Sequence, residues 1–112
     1  MDCVFCKIVR GELNSEKIYE DSDVLAFKDL EPQAPVHFLV IPKRHYEDVE
    51  KVPEKDLQIF EKIFKAIQHI AKELGLNDGM RIVNNCKEQA GQTVKHIHFH
   101  VLAGRNMNWP PG

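Results

Sequence analysis

Three histidines alternate with three apolar residues near the end of the chain, in the run His96-Ile97-His98-Phe99-His100-Val101. Because successive side chains of a β-strand point to opposite faces, this run predicts a strand with one apolar face and one histidine face. The apolar face would pack on a core, and the histidine face would line a cleft or a ligand. Two of the three histidines could instead be surface residues without a role, but strict alternation of three imidazoles is an unusual choice for a surface.

The rest of the chain predicts an α+β fold in a single domain over residues 1–112. Short apolar runs separated by turn residues indicate strands at 18–20, 24–28, 36–41, 80–84 and 96–103. A short N-terminal helix is predicted over Phe5 to Arg10, where Gly11 ends it. Strands joined by turns, with few helices between them, favour an antiparallel five-stranded sheet.

One long helix is predicted from about Pro53 to Leu74, because apolar residues recur there at spacings of three and four. Pro53 suits its first turn, and Gly75 suits the left-handed position just past its end. The predicted apolar stripe consists of Leu57, Phe60, Phe64, Ile67, Ile70, Ala71 and Leu74.

Composition excludes several classes of protein. The net charge of -2 argues against a protein that binds nucleic acid through bulk positive charge. No apolar run approaches the roughly 20 residues that span a bilayer, so no membrane partner is expected. Three cysteines, an odd number, in a chain without a visible export signal indicate reduced thiols and a cytoplasmic location.

The pair Cys3-Val4-Phe5-Cys6 has the spacing of half a structural zinc site. A redox pair and two inert cysteines are the alternatives, although a redox pair is expected at a helix start after a strand. His45 and His96 are the candidate remaining ligands. Alternate residues of a strand lie about 6.7 Å apart, so all three alternating histidines cannot share one ion and should divide their roles.

Gly91-Gln92-Thr93 immediately precedes the histidine strand. Exposed N–H groups and a hydroxyl beside a glycine can bind phosphate oxygens, although this motif alone is common. Asp29 follows a predicted strand, where its carboxylate could bind a ribose or could equally cap a turn.

Together these residues resemble the histidine-triad superfamily, whose hallmark is His-x-His-x-His-x-x with apolar x. The resemblance covers almost the whole chain, through 29–37, 40–43, 91–94, 96–102 and 104–112. The final Trp109-Pro110-Pro111-Gly112 resembles the histidine-triad nucleotide-binding branch, whose members hydrolyse purine nucleoside phosphoramidates.

The resemblance implies a homodimer with a continuous sheet and a nucleotidyl-histidine intermediate, with a purine nucleoside monophosphate, its phosphoramidate or an anhydride as ligand. It assigns catalytic roles to His98 as the nucleophile, to His100 as a hydrogen-bond donor to the phosphate, and to His37 beside the nucleophile. It assigns nucleotide binding to Asp29, Leu30, Asn85, Gly91, Gln92, Thr93, His98 and His100. Zinc-binding relatives complete a structural site at the positions of Cys3, Cys6, His45 and His96, and catalysis needs no metal.

This chain departs from the branch mainly in its phosphate-side loop. Ala90-Gly91 replaces a glycine pair, and Cys86-Lys87-Glu88-Gln89 is unusual. Two other functions remain open: a dinucleoside polyphosphate hydrolase of the same superfamily, and a non-catalytic nucleotide-binding scaffold protein.

Overall fold

The computed structural model describes residues 3–112. Along the chain its helices and strands are α1 (Val4–Val9), β1 (Lys17–Glu20), β2 (Val24–Lys28), β3 (Val36–Pro42), α2 (Gln58–Leu74), β4 (Arg81–Asn84) and β5 (Phe99–Ala103), with single 3₁₀ turns at Val49–Lys51, Glu54–Asp56 and Glu88–Ala90. The five strands form one antiparallel sheet in the order β1-β2-β3-β5-β4, which confirms the predicted α+β architecture. No helix in residues 3–112 has the length and apolar character to cross a membrane.

The sheet is covered by a different helix on each face. On one face, α2 packs against alternate residues of the central strands, namely Val24, Ala26, Phe38, Val40, Phe99 and Val101. On the other face, Phe5 and Ile8 of α1 pack against Leu25, Phe27, Leu39 and Ile41. Because both faces of β2 and β3 are covered, residues 24–27 and 38–42 of these strands are continuously apolar and buried.

The long helix differs from its prediction at its start and in its buried face. A 3₁₀ turn precedes it, and α2 begins at Gln58. Its buried residues are Ile59, Ile63, Ala66, Ile67 and Ile70. Only Ile67 and Ile70 of the predicted stripe are among them, whereas Leu57, Phe64 and Leu74 are 43–50% exposed. The helix therefore carries two apolar stripes. The sheet covers one of them and contacts the other through the ring of Phe99, which lies 6.3 and 5.6 Å from the rings of Phe60 and Phe64. Gly75 ends it in the left-handed conformation, as predicted, with φ of 66°.

The histidine strand is shorter than predicted, because β5 begins at Phe99. Its pairing with β3 starts at Val40 opposite Phe99. The segment before it is held by a different contact, since the Ile97 N–H donates to the Tyr46 carbonyl at 2.9 Å. The alternation nevertheless continues, because Ile97, Phe99 and Val101 all lie in the core beneath α2. His98 and His100 consequently face the side of α1.

Candidate active site and metal centre

His98 has one ring nitrogen fixed by the backbone and the other free to react. Its Nδ1 lies 2.8 Å from the carbonyl oxygen of His96. A carbonyl can only accept, so Nδ1 carries the proton and Nε2 keeps its lone pair. The backbone of His98 is also held, because Nδ2 of Asn84 donates to its carbonyl at 3.0 Å.

The surroundings of His98 keep its imidazole neutral. The residue is 5% exposed, and the ring of Phe5 on α1 meets it edge-on at a centroid distance of 5.1 Å. Burial lowers the pKa of His98 below its usual 6.5, although the His96 carbonyl and the charge of Asp29 act in the opposite direction. A neutral imidazole with an available nitrogen is a nucleophile at pH 7.

His100, His37 and Asp29 form a hydrogen-bonded chain beside His98. The backbone N–H of Gln33 donates to Nδ1 of His37 at 3.0 Å, so the neutral His37 ring is protonated at Nε2. That Nε2 lies 2.9 Å from Nδ1 of His100 and 3.4 Å from Oδ2 of Asp29. His100 therefore accepts at Nδ1 and carries its own proton on Nε2. Its pKa is lowered by burial and by the neighbouring imidazoles of His98 and His37.

The resemblance places His37 beside the nucleophile, and in the structure the ring of His37 contacts that of His100. The rings of His37 and His100 are 5.2 Å apart, and the ring of His98 is 5.2 Å from His100 on the other side. His37 thus reaches the nucleophile through His100. Asp29 also serves the turn-capping role that was weighed for it, because its Oδ1 accepts from the N–H of Glu31 at 2.8 Å.

A cavity of about 310 Å³ lies between α1 and the histidine face of the sheet. Five of the predicted nucleotide-binding residues line it: Asp29, Leu30, Thr93, His98 and His100. Its apolar walls come from α1, β2 and β3, through Phe5, Ile8, Phe27 and Leu39. This size and this mixture of apolar walls with a few polar groups suit a small organic ligand.

The other three predicted nucleotide-binding residues, Asn85, Gly91 and Gln92, lie in the adjoining loop and do not line that cavity. Nδ2 of Asn85 lies 3.9 Å from the position that a Cβ on Gly91 would take, so the two residues are neighbours. The backbone N–H groups of Gly91 and Gln92 donate within the loop, to the carbonyls of Glu88 and Lys87. Their roles in binding phosphate remain predictions.

The four predicted metal ligands, Cys3, Cys6, His45 and His96, lie close together in the structure. Their donor atoms all lie within 4.8 Å of one another. Nδ1 of His45 is 3.2 Å from Nδ1 of His96 and 3.3 Å from Sγ of Cys6, and His96 Nδ1 is 3.4 Å from Sγ of Cys3. A tetrahedron with usual Zn–N and Zn–S bonds has N–N edges of about 3.3 Å and N–S edges of about 3.6 Å. The cluster therefore fits a structural zinc ion.

His96 is prepared for this role by its second nitrogen. Its Nε2 donates to the Pro42 carbonyl at 2.8 Å, which leaves the Nδ1 lone pair facing the cysteines. The ring is fully buried, and burial lowers its pKa from 6.5 to about 4. It is therefore unprotonated at neutral pH, as a ligand must be.

The cysteine pair begins a helix, but within residues 3–112 no strand precedes it, so the condition set for a redox pair is met only in part. Cys3 is the N-cap of α1, and its Sγ accepts from the Cys6 N–H at 3.5 Å. Burial and the neighbouring Cys3 raise the pKa of the Cys6 thiol. The two sulfurs lie within 4.8 Å of the ring nitrogens of His45 and His96, and this set of four donors favours a metal centre over a redox pair.

Asp29, His37 and His100 form a second group of potential metal ligands. His37 Nε2 would need a lone pair to bind a metal ion. The Gln33 N–H instead fixes the lone pair at Nδ1 and the proton at Nε2. This group is therefore a hydrogen-bond chain, whereas in the Cys3 cluster the Nδ1 lone pair of His96 faces the cysteine sulfurs.

Sequence reasoning missed two residues that hold the nucleophile. Asn84 fixes the His98 carbonyl, and Phe5 covers the imidazole from α1. A polar residue at the end of a predicted strand was a signal for Asn84. Phe5 was interpreted as part of an apolar helical run, which it also is.

A five-stranded antiparallel sheet that presents alternating histidines to a cavity defines a histidine-triad fold. The HIT domain family matches residues 10–107. A 14 kDa zinc-binding protein of Brassica juncea is 44% identical over 113 residues, which cover 99% of this chain and 100% of the relative. A histidine triad protein from Clostridium difficile is 50% identical with a TM-score of 0.93, over 96% of this chain and 95% of its own. A HIT family hydrolase from Legionella pneumophila Philadelphia 1 is 43% identical with a TM-score of 0.96, over 99% of this chain and 100% of that hydrolase. The chain therefore belongs to the HIT domain family, and its fold is that of HIT family hydrolases.

Proposed function

We propose that this protein hydrolyses purine nucleoside phosphoramidates to a nucleoside monophosphate and an amine. The observation that carries the proposal is the hydrogen bond from His98 Nδ1 to the His96 carbonyl, which leaves Nε2 as the reactive nitrogen. The apolar walls of the adjoining cavity suit a purine, and Asp29 at its rim suits a ribose. Leu30, which is 94% exposed, lies at the same rim, where a nucleoside would cover it.

In the first step Nε2 of His98 attacks phosphorus, the N–P bond forms, and the bond from phosphorus to the leaving nitrogen breaks. The leaving nitrogen takes a proton from solvent and departs as the amine, and the nucleotide remains attached to His98. In the second step water attacks phosphorus, its proton passes to solvent, and the bond from phosphorus to His98 breaks, which releases the nucleoside monophosphate and restores His98. The His96 carbonyl stabilises the positive charge that the ring acquires in the intermediate.

His100 and Thr93 bind the phosphate oxygens in this mechanism. The hydrogen-bond chain from Gln33 through His37 leaves His100 with a proton on Nε2, the nitrogen that is not bonded to His37. The Thr93 hydroxyl adds a second donor at the cavity edge. A donor aimed at developing negative charge contributes about 3 kcal/mol to transition-state stabilisation.

The test compares hydrolysis of an adenosine 5′-phosphoramidate with hydrolysis of a dinucleoside polyphosphate by the same preparation. The proposal requires faster release of adenosine monophosphate from the phosphoramidate. Preference for the polyphosphate would identify the alternative hydrolase. Binding of adenosine monophosphate without turnover of either compound would identify the scaffold protein.

The Cys3, Cys6, His45 and His96 cluster binds a structural zinc ion in this proposal. The distances fit a tetrahedral ion, and the Brassica juncea relative is named a zinc-binding protein. Zinc bound there would join α1 to the segment before β5 and hence stabilise the wall of the cavity. The catalytic steps use His98 and His100 and need no metal at phosphorus.

The protein pairs into a cytoplasmic homodimer in this proposal. Leu57, just before α2, and Phe64 on α2 are both partly exposed, and Ile82 lies on the edge strand β4. Pairing of two β4 edges would make the sheet continuous and would bury apolar surface. The cytoplasmic location is supported by three free cysteines, which suit a reducing compartment.

A further inference from the structure

Lys87 has an unusual backbone conformation for its residue type. Its φ is 72°, and within residues 3–112 every other residue with positive φ is a glycine. A side chain in this region is disfavoured, because its Cβ crowds the following carbonyl. Such a conformation persists where surrounding contacts enforce it. Lys87 immediately precedes the turn Glu88–Ala90, which Gly91 follows. The contacts that enforce its conformation therefore also hold the phosphate-side loop.

Lys87 makes an ion pair with a buried carboxylate, and its Nζ also lies 3.6 Å from Oε1 of the exposed Glu50. Its Nζ lies 3.0 Å from Oδ2 of Asp48, whose side chain is 5% exposed. The other oxygen of Asp48 accepts from the N–H groups of Glu50 and Lys51 at 2.9 and 3.2 Å. Asp48 is thus fixed in its own turn and is a rigid anchor for Lys87. Burial would raise the pKa of Asp48, but the Lys87 hydrogen bond and charge lower it overall.

Gln92 holds the other end of the same loop in place through hydrogen bonds. Its Nε2 donates to the Glu47 carbonyl at 2.7 Å, and its Oε1 accepts from the Lys87 N–H at 2.7 Å. We call residues 45–48 the strap, since they begin with the metal ligand His45 and contact both ends of the loop. Thr93, which follows Gln92, lines the cavity beside His98 and His100.

We propose that Lys87 and Asp48 are positioning residues, whose ion pair holds the loop on the strap and thereby directs Thr93 toward the phosphate of the ligand. The inference rests on the proposed nucleotide site and adds the residues that shape its phosphate end. Lys87 acts through Asp48 and does not touch the phosphate. Zinc bound to His45 would stabilise the strap from its other end.

The test measures binding of adenosine monophosphate and of adenosine by calorimetry, with protein supplied with one equivalent of zinc. Lys87→Met should weaken adenosine monophosphate binding about tenfold, the order expected for one lost charge-assisted hydrogen bond. Adenosine binding should stay unchanged, because α1, β2 and β3 form the nucleoside end. Asp48→Asn should reproduce the effect, and the double variant should add nothing to it.

Two further variants are the controls. Lys87→Arg preserves the ion pair and should bind as the natural protein does. Lys62→Met removes a lysine that is equally exposed, at 47%, and that pairs with Asp23 at 2.9 Å outside the loop, so it should change neither affinity. Amide hydrogen exchange without ligand gives a second measurement, in which Lys87→Met should accelerate exchange at Gln92 and Thr93.

Several results would overturn the proposal. Equal weakening of both ligands would indicate a general loss of structure, and an unchanged affinity for adenosine monophosphate would show that the pair has no positioning role. Weakening by Lys87→Met but not by Asp48→Asn would show that Lys87 contacts phosphate directly. If Asp48→Asn does not fold, unchanged hydrogen exchange in Lys87→Met refutes positioning. Binding without turnover refutes the phosphoramidase function alone, and absence of adenosine monophosphate binding by the natural protein refutes both.

Discussion

The carbonyl of His96 accepts the Nδ1 proton of His98 at 2.8 Å, while the His96 ring faces Cys3 and Cys6. One residue therefore joins the candidate metal centre to the candidate nucleophile. Its side chain serves the first and its backbone serves the second. Any displacement of the His96 ring would change the direction in which His98 presents its free nitrogen.

Removal of the metal from the Cys3, Cys6, His45 and His96 cluster should destabilise the folded protein. Metal-free protein should melt at a lower temperature than zinc-loaded protein, because an ion that binds only the folded state adds about 4 kcal/mol when present at 1,000 times its Kd. Cys6→Ser should abolish the difference, whereas Cys86→Ser should preserve it, since Cys86 is outside the cluster. Metal analysis and thermal melting provide the measurements. A melting temperature that zinc does not raise in the natural protein would contradict the prediction.

The pKa of His100 should depend on Asp29. Burial and the imidazoles of His98 and His37 lower this pKa, whereas the Asp29 carboxylate, 3.9 Å from His100 Nδ1, raises it. Asp29→Asn should therefore lower it further, as measured by NMR titration of the ring. Because the unfolded residue takes up its proton near pH 6.5 and the folded residue only at lower pH, His100 makes the free energy of unfolding fall as the pH drops below about 6.5. If the titration midpoint of the His100 ring rises in Asp29→Asn, the carboxylate does not raise the pKa of His100.

Sequence pattern predicted the parts of the site that local periodicity controls. Alternation along 96–101 predicted the two faces of the strand, and Cys3-x-x-Cys6 predicted half of the metal cluster. Local sequence pattern could not predict contacts between distant residues, because these depend on sheet register. Strands β3 and β5 pair so that Leu39 lies opposite His100, and this register brings His37 to His100.

The buried face of α2 could not be selected from the sequence, since the helix carries two apolar stripes and spacing alone does not show which one meets the sheet. The pairing of Lys87 with Asp48, 39 residues apart, was likewise undetectable from local pattern.

The second stripe of α2 leads to a prediction about assembly. Phe64→Glu or Ile82→Lys should convert a dimer into a monomer, because each places a charge in the proposed apolar contact. Leu13→Glu is the matched control, since Leu13 is 42% exposed, close to the 43% of Phe64, and lies outside α2 and β4. Light scattering at micromolar concentration measures the outcome. A monomeric natural protein, or dimers that survive both charged variants, would refute the proposed pairing.

His98 should carry the nucleotide during turnover, and this prediction decides between the enzyme and the scaffold protein. Its Nε2 is the free nitrogen, whereas His96 Nδ1 faces the cysteines and His100 Nδ1 accepts from His37. Rapid quenching at neutral or alkaline pH, followed by peptide mapping, should therefore locate an adduct on His98, because N-phosphoryl histidine is labile in acid.

His98→Asn should abolish turnover and the adduct while leaving adenosine monophosphate binding within about threefold, since the ribose and most phosphate contacts come from other residues. His100→Ala should retain the adduct but slow turnover by about 10²–10³-fold, the usual loss for one donor to developing charge. His69→Asn, on the exposed face of α2, is the control and should behave as the natural protein does. An adduct on His96 or His100, or normal turnover by His98→Asn, would refute the assignment. Tight binding with neither adduct nor turnover would instead identify a protein that senses the nucleotide without cleaving it.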